Sequence, residues 1–191
     1  MSFGKRKILF EGKHLVFSEL QFTDFKGIER RWESADRKNS AFDGGITPSA
    51  VLIIARTVPD NEIILIRQYR PPAGRAMIEF PAGLIDPGET AAESAARELM
   101  EETGFAGKLL HITNPGYSSP GMSGESIALA VMEIDAEFYR ANPPVAHPEE
   151  NENIEVFRVP LDKLSEFIAE QEKAGCGIDS KIYTYLVMRK W

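Results

Sequence analysis

The segment 83–105, GLIDPGETAAESAARELMEETGF, marks both ends of a helix and then loads its last turn with acid. Thr90 followed three residues later by Glu93 makes a capping box, and Gly104 supplies the left-handed residue that stops the helix. At about 100° per residue, Ala92, Ala95, Ala96, Leu99 and Thr103 form one narrow stripe that should pack on a sheet. Glu98 and Glu102 fall about 40° apart on one flank of that stripe, facing a cleft beside the core, with Glu101 further towards solvent. Glu101 and Glu102 lie where the helix dipole presents its negative end and disfavours carboxylates. Glu98 stands beside both at spacings of three and four residues, where like charges repel. A turn that breaks two local rules gains something in return, and a hard divalent cation with oxygen ligands would neutralise the cluster. Ahead of the helix, Asp86-Pro87-Gly88 has turn chemistry that would fold the loop back and bring its backbone carbonyls to the same place.

The rest of the composition narrows the setting. A chain of 191 residues, 43% hydrophobic and 27% charged, suits one globular domain with an extension and can bury a core. No run is apolar for eighteen residues, and the N-terminus MSFGKRKILFEGKH is too charged for a signal peptide, so a soluble, cytoplasmic protein with no membrane partner is expected. Cys176 is the only cysteine, and with His14, His111 and His147 scattered it gives no zinc spacing. A net charge of -7 argues against a nucleic-acid partner. An anionic substrate would need locally placed arginines or bound metal.

KILFEG, HLVFSELQF and IERRWESADR are candidate strands of an N-terminal ribbon, the last two joined by a turn at TDFKG. The turn-rich KNSAFDGGITPSA follows as a hinge, dividing a β extension over 1–44 from a main domain over 45–191. In the main domain VLIIAR, EIILIRQYR and AMIEFPAG read as strands before the acidic helix, and SIALAVMEI and NIEVFRVP as strands after it. Helical segments LDKLSEFIAEQEKAG and DSKIYTYLVMRKW close the chain. Strands broken by a central helix and finished by helices suggest an α/β sandwich with a mixed sheet.

An acidic helix flank is commonly no more than a solvated face. Here the spacing argues otherwise: Gly83, five residues, Glu89, seven residues, Arg97-Glu98-Leu99, one residue, Glu101-Glu102, one residue, Gly104-Phe105. This pattern matches every fixed position of the Nudix box, and the chain resembles the Nudix hydrolases. The resemblance implies a loop-helix-loop on an α/β/α sandwich that binds Mg²⁺ or Mn²⁺. It casts Glu98 and Glu102 as the main metal ligands, Glu101 as a further one, Glu89 as a helper and Ala82 as a carbonyl ligand. Arg97 would hold a glutamate in place by a charge-assisted hydrogen bond, while Gly83 and Gly104 shape the backbone.

Beyond the box, IRQYRPP, IEFPAGLID, SSPGMS and ENENIEV look like segments of the ADP-ribose pyrophosphatase group, and Pro120, sixteen residues after Gly104, stands where that group has a proline. Members of the group are similar in exchanging an N-terminal β extension across a homodimer. A ribbon with little core of its own must dock on something; packing on its own domain is the alternative. The resemblance further places Arg70 on the diphosphate, Trp32 on the adenine as a stacking aromatic and Arg37 beside it. Left to their spacing alone, Arg70 equally suits a surface ion pair and Trp32 a ribbon or interface anchor. Glu79, an acid in an apolar strand, suits a ribose hydroxyl or a strand edge. The loop HPEENENIEV offers Glu149, Glu150 and Glu152, from which the family takes a base or an extra metal ligand: Glu150 is favoured as base and Glu152 for metal, against a solvated acidic loop.

The expected activity is Mg²⁺-dependent hydrolysis of the pyrophosphate of ADP-ribose or a related nucleoside diphosphate sugar, giving a nucleoside monophosphate and a sugar phosphate. Metal ions are needed because the diphosphate's own charge repels attacking water. The alternatives are a hydrolase preferring another substrate of the class, such as GDP-mannose, or a catalytically silent nucleotide-sensing Nudix module.

Overall fold

The computed structural model describes residues 2–38, 47–147 and 153–189. The chain divides into two compact units. The first comprises Met1–Ser49 together with Asn114–Ala128, the second Ala50–Thr113 together with Leu129–Trp191. The expected hinge falls largely on residues 39–46, outside the described residues.

In the first unit β1 (Ser2–Glu11), β2 (Leu15–Thr23) and β3 (Glu29–Arg37) form the anticipated antiparallel ribbon. At TDFKG the Asp24 carboxylate accepts the amides of Lys26 and Ile28, and Gly27 takes φ 75°. This Asx turn sets a register that runs unbroken from Thr23 opposite Glu29 to Leu15 opposite Arg37. One ribbon face buries Val16, Ser18, Ser34 and Asp36, so it is held by polar contacts more than by apolar packing. Asp36 accepts from Arg6, from Ser34 and from the Ser123 hydroxyl and Gly124 amide of the 118–125 loop. The amide of Ala35 also donates to the Met122 carbonyl at 3.0 Å, so this loop lies along β3.

The second unit is built on β4 (Ala50–Val58), β5 (Glu62–Arg70), a 3-10 turn (Pro71–Ala73), β6 (Arg75–Glu79), β7 (Ala82–Leu84), α1 (Ala91–Thr103) and β8 (Lys108–Ile112). After β9 (Gly116–Tyr117) of the first unit come β10 (Ser126–Asp135), whose residues 126–128 also belong to the first unit and pair with β9 there, α2 (Ala136–Ala141), β11 (Glu155–Pro160), α3 (Leu164–Lys173), β12 (Gly177–Ile178) and α4 (Ser180–Met188). The sheet order is β12-β6-β5-β4-β10-β8, with β11 also pairing β5, β7 pairing β4 and β9 pairing β10. The sheet is mixed: β12 runs parallel to β6, while β5 is antiparallel to β4, β6 and β11. Ile63, Ile64, Leu65 and Ile66 of β5 are all fully buried, which requires cover on both sheet faces. Helix α1 packs on β4, β7 and β8, and α3 on β11 and β12. No helix of the described residues is long and apolar enough to cross a membrane.

Two local expectations are corrected. AMIEFPAG is not one strand: β6 pairs with β5 and β7 with β4, because Pro81 has no amide for a continuous ladder and its carbonyl instead accepts from Ile53. Nor is Ala96 on the packed stripe of α1, where Ser94, Ala95, Leu99, Glu102 and Thr103 are buried. The packed face is turned by roughly 40° towards the flank that carries Glu98 and Glu102.

Candidate active site

The turn that opens the site follows the sequence closely. Gly88 takes φ 93° and the Glu89 amide closes on the Asp86 carbonyl at 3.0 Å, which delivers Thr90 to the helix start. Both halves of the capping box form: the Glu93 amide donates to Thr90, and the Thr90 amide donates to Glu93. The Thr90 amide, with the Thr90 hydroxyl, donates to the Glu93 carboxyl and holds it below the usual carboxylate range. At the far end Gly104 adopts φ 73° and its amide donates to the Met100 carbonyl.

Arg97 organises the acids. Its Nε and Nη2 grip the two oxygens of Glu89 at 3.0 and 2.9 Å, its Nη1 reaches Glu98 at 2.8 Å and Glu101 at 3.0 Å, and its Nη2 also donates to the Leu84 carbonyl. The grip of Arg97, with the Ser94 hydroxyl helping at 2.5 Å, lowers the Glu89 carboxyl to about 2. In return the Glu89 hydrogen bonds push the guanidinium above its ordinary value. The last turn of α1 carries no basic residue, so the crowding of its acids is relieved from one turn back by Arg97.

Glu102 is 3% exposed, and its carboxylate accepts the Ala82 amide at 3.1 Å. Glu98 lies over Gly83, where a Cβ would stand 1.9 Å from its carboxyl carbon. The bare glycine is therefore a condition of Glu98's position. Glu98 and Glu102 thus flank the Ala82-Gly83 backbone from one helix face, and Glu101, 44% exposed at its side chain, points more to solvent. Among the described residues no three His, Cys, Asp or Glu side chains come close enough to form a complete metal cage. Glu89, Glu98 and Glu101 fan around Arg97 instead. The donors present are all oxygens, which suits a hard cation.

Arg70 and Glu79 pair with each other in the same unit: Glu79 accepts from Arg70 Nε at 3.0 and 3.1 Å and from Nη2 at 2.6 Å. Glu79 is buried, which corrects the strand-edge reading. In the first unit, the Trp32 indole N–H donates to the Gly121 carbonyl at 3.0 Å, and Arg37 Nε to Glu125 at 2.9 Å. Both residues are therefore fastened to the 118–125 loop. Glu149, Glu150 and Glu152 lie outside the described residues. Just before them, the His147 amide donates to the Glu101 carbonyl at 2.8 Å. Sequence reasoning passed over Ser94 and the backbone contact of His147: a serine five residues after a glutamate and a main-chain amide that meets a helix end from a distant loop give no distinctive signal.

A family model described as the NUDIX domain matches residues 46–178. The chain belongs to the NUDIX family. Among related NUDIX chains, the "ADP-ribose pyrophosphatase" of Saccharomyces cerevisiae is 35% identical over 173 residues, covering 89% of this chain and 74% of that protein. The "ADP-sugar pyrophosphatase" of Mus musculus is 30% identical over 94% of this chain and 83% of its own length. A crystal structure of an "ADP compounds hydrolase" superposes with a TM-score of 0.63 at 20% identity, covering 88% of this chain and 82% of that one. This last likeness confirms the fold.

Proposed function

We propose that the chain hydrolyses the pyrophosphate bond of ADP-ribose or a related nucleoside diphosphate sugar with Mg²⁺ or Mn²⁺, releasing a nucleoside monophosphate and a sugar phosphate. The observation that carries this reading is the placing of Glu102 against the Ala82 amide and of Glu98 over Gly83, with Arg97 holding Glu98. The names of the yeast and mouse relatives support the substrate class. A divalent cation would be held by Glu98, Glu102, Glu101, the Ala82 carbonyl and Glu152, and when bound it screens the diphosphate and acidifies water. Arg97 fixes Glu98 and Glu101 by hydrogen bonds, and Glu89 in turn fixes Arg97.

Arg70 takes the diphosphate, because a guanidinium matches phosphate oxygens with paired donors. Glu150 accepts the proton of the attacking water as oxygen adds to one phosphorus and the bridging P–O bond breaks. The His147 tether supports this role: Glu150 is three residues further on, within about 10 Å of extended chain from that amide. Trp32 stacks on the adenine with Arg37 beside it, and Glu79 belongs to the substrate site as the partner of Arg70. The extension over 1–44 pairs two chains into a cytoplasmic homodimer, leaving 45–191 as the hydrolase domain. Exposed Ile8, Phe10, Leu15 and Phe25 on the ribbon favour such a partner.

A panel of nucleoside diphosphate sugars, assayed with Mg²⁺ or Mn²⁺ and with EDTA, tests the reading. Phosphate release after phosphatase coupling is expected for ADP-ribose and abolished by EDTA. Failure to cleave any member would leave a nucleotide-sensing module in its place.

A further inference from the structure

Residues 79–83 run from the end of β6 into β7, and three of the five each anchor a different charged side chain. Glu79 grips Arg70, the Ala82 amide holds Glu102, and Gly83 makes room for Glu98. The segment is itself fixed. Phe80 is 2% exposed and meets Tyr185 edge to face at 5.7 Å, and the Pro81 carbonyl accepts the Ile53 amide at 2.8 Å.

Strand register explains how Arg70 reaches this segment. Ile66 stands opposite Glu79, and Gln68 and Arg70 follow at two-residue steps, so all share the sheet face of Glu79. From Ile66 to Arg70 the strand advances about 13 Å. Arg70 therefore does not extend outwards from the end of β5: its side chain runs back across Gln68, whose amide nitrogen also lies 3.5 Å from Glu79. Both Glu79 oxygens receive N–H groups from Arg70, and the Glu79 side chain is only 11% exposed. A carboxylate so engaged is badly placed to take a ribose hydroxyl. A guanidinium, by contrast, has five N–H donors, so pairing with Glu79 does not by itself bar Arg70 from meeting a phosphate oxygen.

We infer that Glu79 is a positioning residue: it ties Arg70 to the same rigid segment that anchors Glu98 and Glu102, and acts on the substrate only through Arg70. This rests on the diphosphate role proposed above for Arg70. The consequence is specific. Loss of Glu79 weakens diphosphate binding only while Arg70 is present, and leaves the chemical step to the glutamates of α1.

The test is a double-mutant cycle on the full chain, with ADP-ribose and Mg²⁺. Arg70→Ala and Glu79→Gln are each expected to raise KM about ten-fold with kcat within about two-fold, the loss expected when one charge-assisted contact goes. The Arg70→Ala/Glu79→Gln double variant should match Arg70→Ala alone. If Glu79→Gln multiplies the Arg70→Ala effect, Glu79 touches the substrate itself and the inference is overturned. It is equally overturned if Arg70→Ala raises KM and Glu79→Gln does not. An Arg70→Ala variant with unchanged KM removes the diphosphate assignment and the inference with it, whereas a wild-type chain without turnover removes the functional reading as a whole. Should Glu79→Gln not fold, Arg70→Lys asks the same question. Lysine keeps the charge but not the two-point grip, so positioning requires KM to rise several-fold, and an unchanged KM would refute it.

Discussion

The carboxylate of Glu102, 3% exposed in the last turn of α1, accepts the backbone amide of Ala82 at 3.1 Å. A buried carboxylate at the negative end of a helix is costly, and the Ala82 amide offsets part of that cost. Glutamine would keep an oxygen for the Ala82 amide and remove the repulsion from Glu98. Glu102→Gln should therefore leave unfolding free energy within about 1 kcal/mol of wild type. Hydrolysis should fall on the order of 100-fold or more, since a cation ligand is lost. Urea melts beside steady-state rates check both halves, and a variant with full activity would remove Glu102 from the metal site.

Glu89 yields a pH prediction. Arg97, with the Ser94 hydroxyl, holds its carboxyl at about 2, against an ordinary value of 4.5. A carboxyl lowered on folding stabilises the native state above its unfolded value, and that contribution is lost as pH falls through the folded one. Wild type should therefore be more stable than Glu89→Gln at pH 6, with the gap closing from about pH 4.5 down to about 2. Thermal melts of the two proteins across that range without metal measure the gap. A gap that stays constant would mean that Glu89 does not depend on its charge.

Gly83 and Gly104 both sit against other groups, but substitution should act on different properties. A Cβ at Gly83 would meet the end of the Glu98 side chain at 1.9 Å, which can swing aside, whereas at Gly104 it would meet the Val145 backbone at 2.5 Å with φ at 73°. Gly83→Ala is expected to cost about 1 kcal/mol in stability and to lower activity at least ten-fold by displacing Glu98. Gly104→Ala should cost on the order of 2 kcal/mol or more, because neither the backbone neighbour nor the left-handed conformation can yield cheaply. Denaturant melts and kcat on the same preparations separate the two. Equal stability losses would argue against the difference.

What the sequence made legible was local. Thr90, Glu93 and Gly104 bound α1 by short-range hydrogen bonds, and β5 is announced by its unbroken run from Ile63 to Ile66. Less visible were elements whose signal is weak or set from a distance. β8 is largely exposed, α2 is six residues capped by the last residue of β10, and β12 is two residues that depend on β6. In the site, the carboxylates could be read from spacing and the Arg97 pairing was expected with them, but partners set by the wider fold could not be read. Arg70 meets Glu79 through strand register, and Asp36 meets Ser123 and Gly124 across 87 and 88 residues of chain. The rotation that buried Glu102 in place of Ala96 depended on the surface beneath the helix, which alanine periodicity does not encode.

Trp32 carries the last prediction, because its ring stands half exposed while its N–H is tied to the Gly121 carbonyl at 3.0 Å. That bond fixes the plane of the indole to the 118–125 loop, which Asp36 holds on β3. Stacking of one base on an aromatic contributes about 1–3 kcal/mol, so Trp32→Ala should raise KM for ADP-ribose by roughly ten-fold or more with kcat spared. Trp32→Phe keeps a π face but loses the N–H bond, and should fall between the two. KM series on the three proteins, with light scattering to follow assembly, decide the matter. If KM is unchanged and only assembly weakens, the ring is an interface anchor, and the half-exposed indole serves a protein partner in place of a base.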